Sequence, residues 1–250
     1  MGNLTKVIRP SDDSQDLLPT QKQVHYQSGV GSLLYIVKHS RPDLNNSVRE
    51  LSKSMDRANE EGYKKLLQVL NFIKYTTNLG IIFETSKTLT WNLECYSDSD
   101  FAGDTTNRKS ISGYLIYVNK NLIAWSSKQQ PIVTKSSTEA EYVSLSDMIK
   151  EILFVKGILE FMKVKMQLPI KVHVDNKGAI FISQNPTVKR TKNIDTRYHF
   201  ICQYIKDGVI EIEFIQTEKN KSDIMTKNFA KDKHESKCEV VVKNVNQEQG

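Results

Sequence analysis

The sequence predicts an α/β protein: a mixed five-stranded sheet with flanking helices, preceded by a small helical unit. Three observations carry this. Apolar residues recur at helical spacing up to about residue 82 and change to strand-like runs after about Leu89. Three of those runs follow one another around a turn at Asn119-Lys120-Asn121, as an antiparallel meander does. The later runs alternate with helical stretches, so sheet and helices belong to one layered core.

Residues 1–25 are polar, rich in Ser, Asp, Gln and Lys, and read as a flexible leader. Asp12 and Asp13 lack flanking apolar strands, which makes them a solvated loop rather than a metal pair. Residues 26–90 read as a helical unit. An apolar run from Ser28 to Lys38 stops at Arg41-Pro42, and Asp43 is placed to cap the next helix, with Leu44, Val48, Leu51 and Met55 at helical spacing. A third helix puts Leu66, Leu67, Leu70 and Ile73 on one face and Lys64, Lys65, Asn71 and Lys74 outside, with Gly80 as its stop.

Residues 92–230 then hold the sheet. Strands are expected at Leu93–Asp100, Ser112–Val118, Leu122–Ser126, Ile170–Asp175 and Val209–Gln216. A long helix runs from Ser137 to about Met162, shorter ones cover Lys177–Ser183 and Ile194–Lys206, and a last one begins near Ser222. The tail, 231–250, is polar apart from Val240–Val242.

Bulk properties narrow the function. With 38% hydrophobic and 26% charged residues among 250, the chain is globular rather than disordered. Its net charge of +6 and pI of about 9.0 lean toward polyanionic partners. Cys95, Cys202 and Cys238 form no CxxC pair, so neither a disulfide framework nor a zinc site is indicated. The polar N-terminus lacks a signal-peptide core, Lys6 breaks the myristoylation pattern that Gly2 opens, and Leu33–Val37 is too short to span a bilayer. These features point to an intracellular protein, neither secreted nor membrane-bound.

Chemistry is suggested by where the acids fall. Asp98 and Asp100 stand at i and i+2 on the first strand and share a face. Asp175 ends the fourth strand, where open α/β sheets bind ligands. Glu139 and Glu141 lie in the first turn of the long helix, and Asp223 opens the last one. Carboxylates gathered this way can hold two divalent metals, which neutralise a phosphate and activate water, and Mg²⁺ suits an all-oxygen site. Taken singly, each acid also has an ordinary structural use. Strand-end Asp residues form turns, and Asp223 would complement a helix dipole. Ser136-x-x-Glu139 and Thr138-x-x-Glu141 both match a capping box, so spacing alone does not choose between the two Glu residues.

The runs Tyr96–Asp104, Arg108–Tyr114, Trp125–Lys128, Ser137–Tyr142, Val174–Asn176, Arg190–Phe200 and Ser222–Lys227, in that order, resemble the ribonuclease H domain of copia-type LTR retrotransposon Pol polyproteins. Upstream, Tyr26–Tyr35, Arg41-Pro42-Asp43 and the helix ending at Leu79-Gly80 resemble the C-terminal end of the family's reverse transcriptase. The resemblance implies a ribonuclease H-like fold. It also implies a metal-dependent endonuclease that cuts the RNA strand of RNA–DNA hybrids and leaves 5′-phosphate and 3′-hydroxyl ends. By position it implies Asp98, Glu141, Asp175 and Asp223 as catalytic metal ligands for two Mg²⁺ ions, with Mn²⁺ as the substitute; Glu139 and Asp100 rank second. No small-molecule cofactor is implied. The chain would begin after the polymerase palm, would not polymerise DNA unaided, and would partner the hybrid and the rest of the Pol polyprotein in a cytoplasmic particle or the nucleus.

Three departures stand out: Asn193 where the family has His, Phe101 where Trp is usual, and no His in Thr217–Lys221. For the substrate, Arg190 and Lys192, with Arg108 and Lys128, are candidate phosphate contacts, and Asn176 is a candidate for a ribose hydroxyl. Tyr142, Trp125, His173 and His199 read as structural. The alternative to a nuclease is a catalytically silent, nucleic-acid-binding remnant of such a polyprotein. An integrase ranks lower, because it would place its essential Glu last.

Overall fold

The computed structural model describes residues 9–10, 16–184, 192–229 and 231–247, and divides into two compact units, 1–82 with 227–250, and 83–226.

The first unit is built on α1 (Thr20–His39), α2 (Asn45–Ser52) and α3 (Glu60–Tyr75). Helix α1 starts eight residues before Ser28, inside the stretch expected to be a loose leader. Its first turns are polar, and only from Tyr26 does a buried stripe appear: Tyr26, Val30, Leu33 and Val37, one residue per turn. The Tyr26 hydroxyl donates to the Leu51 carbonyl at 2.8 Å, which ties α1 to α2. Asn59 caps α3 by accepting from the Gly62 amide at 2.9 Å. The buried face of α3 is Gly62, Lys65, Leu66 and Val69; of the expected face Leu66 is buried and Ile73 packs against the core, while Leu67 and Leu70 are exposed, and Lys65 lies inside, paired with Glu61 at 2.7 Å. Periodicity finds a helix more easily than it finds which of two adjacent apolar stripes is covered.

Arg41-Pro42-Asp43 is a buried clamp. Arg41 donates to both Asp43 oxygens (Nε–Oδ1 2.9 Å, Nη2–Oδ2 2.8 Å) and to the Thr76 carbonyl and hydroxyl (3.1 and 3.0 Å). It thereby satisfies groups at the end of α3 that the helix leaves unpaired.

The second unit is the predicted sheet. Its strands are β1 (Leu93–Asp100), β2 (Ile111–Val118), β3 (Asn121–Gln129), β4 (Ile170–Val174) and β5 (Ile210–Phe214), in the order β3-β2-β1-β4-β5. The β1/β2 and β2/β3 pairs are antiparallel, and β1/β4 and β4/β5 are parallel. The β2–β3 turn places both Asn119 (φ 47°) and Lys120 (φ 68°) in the left-handed region, as a two-residue hairpin requires. Helix α4 (Ser137–Phe161) is the crossover that parallel β4 needs. Its Tyr142, Leu145, Met148, Ile149 and Ile152 pack with Leu93, Cys95, Ile116, Val118, Val172 and Val174 in the main core. Helices α5 (Lys177–Gln184) and α6 (Lys192–Lys206) complete that layer. Helix α6 ends at Gly208 (φ 67°), with Val209 N bonded back to the Tyr204 carbonyl at 3.0 Å. Helix α7 is short, Asp223–Thr226.

The last segment belongs to the first unit. Helix α8 (Lys231–Cys238) packs there, and Leu79–Gly80 pairs antiparallel with Lys243–Asn244. The tail, expected to be polar apart from Val240–Val242, contributes buried Val241 and Val242 from that stretch and buried Cys238 besides. No helix among the described residues is long and apolar enough to cross a membrane.

Candidate metal centre

Three of the expected acids meet at the C-terminal edge of the central strands. Asp98 comes from β1, Glu141 from the first turns of α4, and Asp175 directly follows β4. Each offers one oxygen to a group whose members lie within 4.8 Å of one another. Asp98 and Glu141 are buried and Asp175 is half-buried.

The capping-box ambiguity is resolved by geometry. Ser136 Oγ accepts from the Glu139 amide at 3.1 Å, and Glu139 Oε2 accepts from the Lys135 amide at 2.7 Å, so Glu139 is occupied at the helix start. Glu141 turns inward instead. Its Oε1 accepts from the Ser99 amide at 3.0 Å, while Oε2 is buried and accepts no hydrogen bond from any described residue. Burial first, then the charges of Asp98 and Asp175, push the Glu141 carboxyl well above the usual carboxylate range; the Ser99 hydrogen bond pulls the other way. A buried carboxylate with an unused oxygen, facing two more carboxylates, is a donor set that a hard divalent cation would satisfy. The residues present therefore fit Mg²⁺ or Mn²⁺.

Asp223 stands outside that group. It is 3% exposed and opens α7; from the same helix Thr226 reaches Asp98, its hydroxyl donating to Asp98 Oδ2. The reason is local: α7 is one turn long, and its C-terminal end is the part seated on β2 at Gly113. The second-ranked Asp100 lies over Gly103 at the end of β1.

The expected substrate contacts divide in the same way. Arg108 (φ 57°) and Lys128 are exposed, one in the β1–β2 turn and one near the end of β3. The turn is held by Asp104, which accepts from Thr106 N at 2.8 Å and from Gln129 Nε2 at 2.7 Å. Asn176 caps α5, its Oδ1 accepting from Ala179 N at 2.9 Å. Arg190 lies outside the described residues, as does the side chain of Lys192, which opens α6. His173 sits between Glu94 and Glu213, at 3.7 and 3.6 Å, with its ring against Tyr96.

Several residues around the site went unnoticed in the sequence. Ser144 Oγ, one turn beyond Glu141, donates to the Asp98 carbonyl at 2.8 Å and accepts from Ser97 Oγ at 3.1 Å. Asn220 Nδ2 donates to the Ser97 carbonyl at 2.9 Å, and its Oδ1 accepts from Ser222 N and Oγ at 3.1 and 2.6 Å. A serine on the apolar face of α4 was the one available signal, since a buried hydroxyl needs a partner.

A meander continued by two parallel strands, with flanking helices, is the ribonuclease H-like fold, and an acidic trio stands at the rim of its central strands. No family model matches the chain. The Retrovirus-related Pol polyprotein from transposon RE2 of Arabidopsis thaliana is 34% identical over 207 residues, 82% of this chain and 14% of that protein. The Pol polyprotein from transposon TNT 1-94 of Nicotiana tabacum is 34% identical over 220 residues, 88% of this chain and 16% of that one. Among solved structures, LC11-RNase H1 isolated from compost aligns with a TM-score of 0.42 at 16% identity, over 54% of this chain and 92% of that one. The chain belongs to the Pol polyproteins of copia-type LTR retrotransposons and spans about one-seventh of the length of these relatives.

Proposed function

We propose that the 83–226 unit is a metal-dependent ribonuclease H that hydrolyses the RNA strand of RNA–DNA hybrids within a retrotransposon's reverse-transcription machinery. The observation that carries this is the Asp98–Glu141–Asp175 group, which brings one oxygen from each residue within 4.8 Å of the others, with Glu141 Oε2 buried and without a described donor. Those three residues hold the metal, and Asp223 is assigned as a fourth ligand on the family resemblance alone. When bound, divalent cations neutralise the phosphate and lower the pKa of the attacking water. The chain's own part is to keep three carboxyl groups together at the strand ends, two of them buried, and to orient them: the Ser99 amide holds Glu141, and Ser144 holds the Asp98 backbone. Arg108 in the β1–β2 turn and Lys128 near the end of β3, both exposed, supply phosphate contacts; Arg190 and Lys192 are assigned the same task, and Asn176 is assigned to a ribose hydroxyl. The helical unit is assigned to the end of the reverse transcriptase, and the remaining Pol polyprotein to the partner it works with.

A second reading, a catalytically silent nucleic-acid-binding remnant, rests on the place of Asp223 outside the trio. Cleavage of a labelled RNA–DNA hybrid in Mg²⁺ and in Mn²⁺, beside an Asp98→Asn control, separates the two. RNA-strand cutting that needs metal and vanishes in the variant supports the nuclease. Binding of the hybrid by folded protein, with no cutting in either metal, supports the remnant.

A further inference from the structure

We infer that Thr226 is a positioning residue that sets the orientation of the Asp98 carboxylate, and that Gly113 is glycine so that Thr226 can reach it. The inference rests on the metal-centre reading above and adds to it a residue outside the carboxylate set.

Thr226 is 2% exposed and Asp98 1%, so their hydrogen bond is shielded from water. A hydroxyl has one proton to give. Thr226 Oγ1 also lies 3.3 Å from the Asp223 carbonyl within its own helix turn, but an anionic acceptor outcompetes a neutral one, and the proton goes to Asp98. The donor is neutral. It fixes the plane of the carboxylate without cancelling the negative charge a cation needs, which a lysine at 226 would do.

The approach is built from both sides. Asp98 is paired in register with Gly113 on β2. A Cβ at position 113 would come within 2.6 Å of both Met225 Cβ and Thr226 Cγ2, so any side chain there would push α7 off the sheet. Upstream, Asn220 clamps the chain to the Ser97 carbonyl, one residue before Asp98, and Ser222 locks that asparagine. Residues 220–226 thus grip β1 at two neighbouring points, one backbone and one carboxylate. From the opposite face Ser144 takes the Asp98 carbonyl. The Asp98 backbone and side chain are each held by a separate element.

Outer-shell hydrogen bonds to ligating groups are worth about 10- to 100-fold in metal affinity. The test is Mn²⁺ binding by titration calorimetry on the full chain, compared for wild type, Thr226→Val, Thr226→Ser and Gly113→Ala, with circular dichroism as the check on folding. Thr226→Val keeps the shape and loses the donor; its Mn²⁺ affinity falls about 10-fold or more, while Thr226→Ser, which keeps the donor, falls by less than that. Hybrid cleavage by Thr226→Val is lost at low Mn²⁺ and recovers as Mn²⁺ is raised, a rescue that a merely structural defect does not give. Gly113→Ala keeps the hydroxyl but displaces it and weakens Mn²⁺ binding in the same direction, which preserves the test if Thr226→Val does not fold. Wild-type Mn²⁺ affinity in folded Thr226→Val, or in folded Gly113→Ala, overturns the inference and leaves the metal centre standing. A wild-type chain that takes up no Mn²⁺ overturns the metal centre, and the inference with it.

Discussion

The backbone amide of Ser99 donates to Glu141 Oε1 at 3.0 Å, and the other oxygen of the same carboxylate is buried with no donor among the described residues. One hydrogen bond aims the group, and the remaining oxygen faces no described donor. Glu141 therefore works against the fold when metal is absent. Burial and two neighbouring anions oppose its ionisation, and its pKa rises. Glu141→Gln keeps the shape and removes a buried ionisable carboxyl from beside two others. In EDTA at neutral pH this variant is expected to melt about 2–4 °C higher than wild type, roughly 1 kcal/mol for a chain of this size. It should also bind Mn²⁺ far more weakly and lose hybrid cleavage. Thermal melts with and without metal check both halves.

Ser144 carries a different cost. Its hydroxyl links Ser97 Oγ to the Asp98 carbonyl inside the core, where all three residues are buried. Ser144→Ala strands both partners and is expected to destabilise by about 1–3 kcal/mol, measured by urea denaturation. Ser144→Val should cost more, because its added methyl groups would stand where a hydroxyl is held at 2.8 and 3.1 Å from its partners.

In the helical unit, Asp43 is fully buried against Arg41. Asp43→Ala leaves a guanidinium without its counter-charge and is expected to cost about 3–5 kcal/mol. Replacing both, Arg41→Met with Asp43→Leu, should recover most of that loss, since no charge is then buried unpaired. A chemical-denaturation comparison of wild type, single and double variants decides it.

His234 on α8 gives the unit a pH dependence. Its ring lies edge-on to Phe72, and its Nδ1 is 3.3 Å from Cys238 Sγ. Burial pushes the imidazole below its usual 6.5, and the charge of Asp43 only partly offsets this. A histidine whose folded pKa is depressed binds protons more readily when unfolded. The stability tied to its neutral form is thus fully present above about pH 6.5 and is lost as pH falls through the lower folded value. Wild type is expected to lose more stability between pH 7.5 and 5.5 than His234→Gln. Equal losses would refute this.

Much of the second unit was legible from residues alone. Strand β1 was expected at Leu93–Asp100 and is found there, and α4 was expected from Ser137, where it begins. Both have strong local signals: a run of strand formers ending in acids, and a serine cap before a long apolar helix. The first unit was less legible. The start of α1 carries no apolar periodicity, and α3 offers two adjacent apolar stripes of which only one is covered. In the tail, Val241 and Val242 belong to the apolar stretch visible in the sequence, whereas Cys238 matters only through what it meets.

The candidate site splits along the same line. Residue order and local pattern determined that acids end the first and fourth strands and open two helices, because period and capping are properties of neighbours in the chain. Three matters waited for the tertiary structure: that Glu141 faces inward while Glu139 caps, that Asp223 stays outside the trio, and that Thr226 of α7 touches Asp98. Each depends on how closely two elements far apart in sequence approach one another. The space left by a missing side chain at Gly113 sets that approach for α7, and local spacing does not encode it.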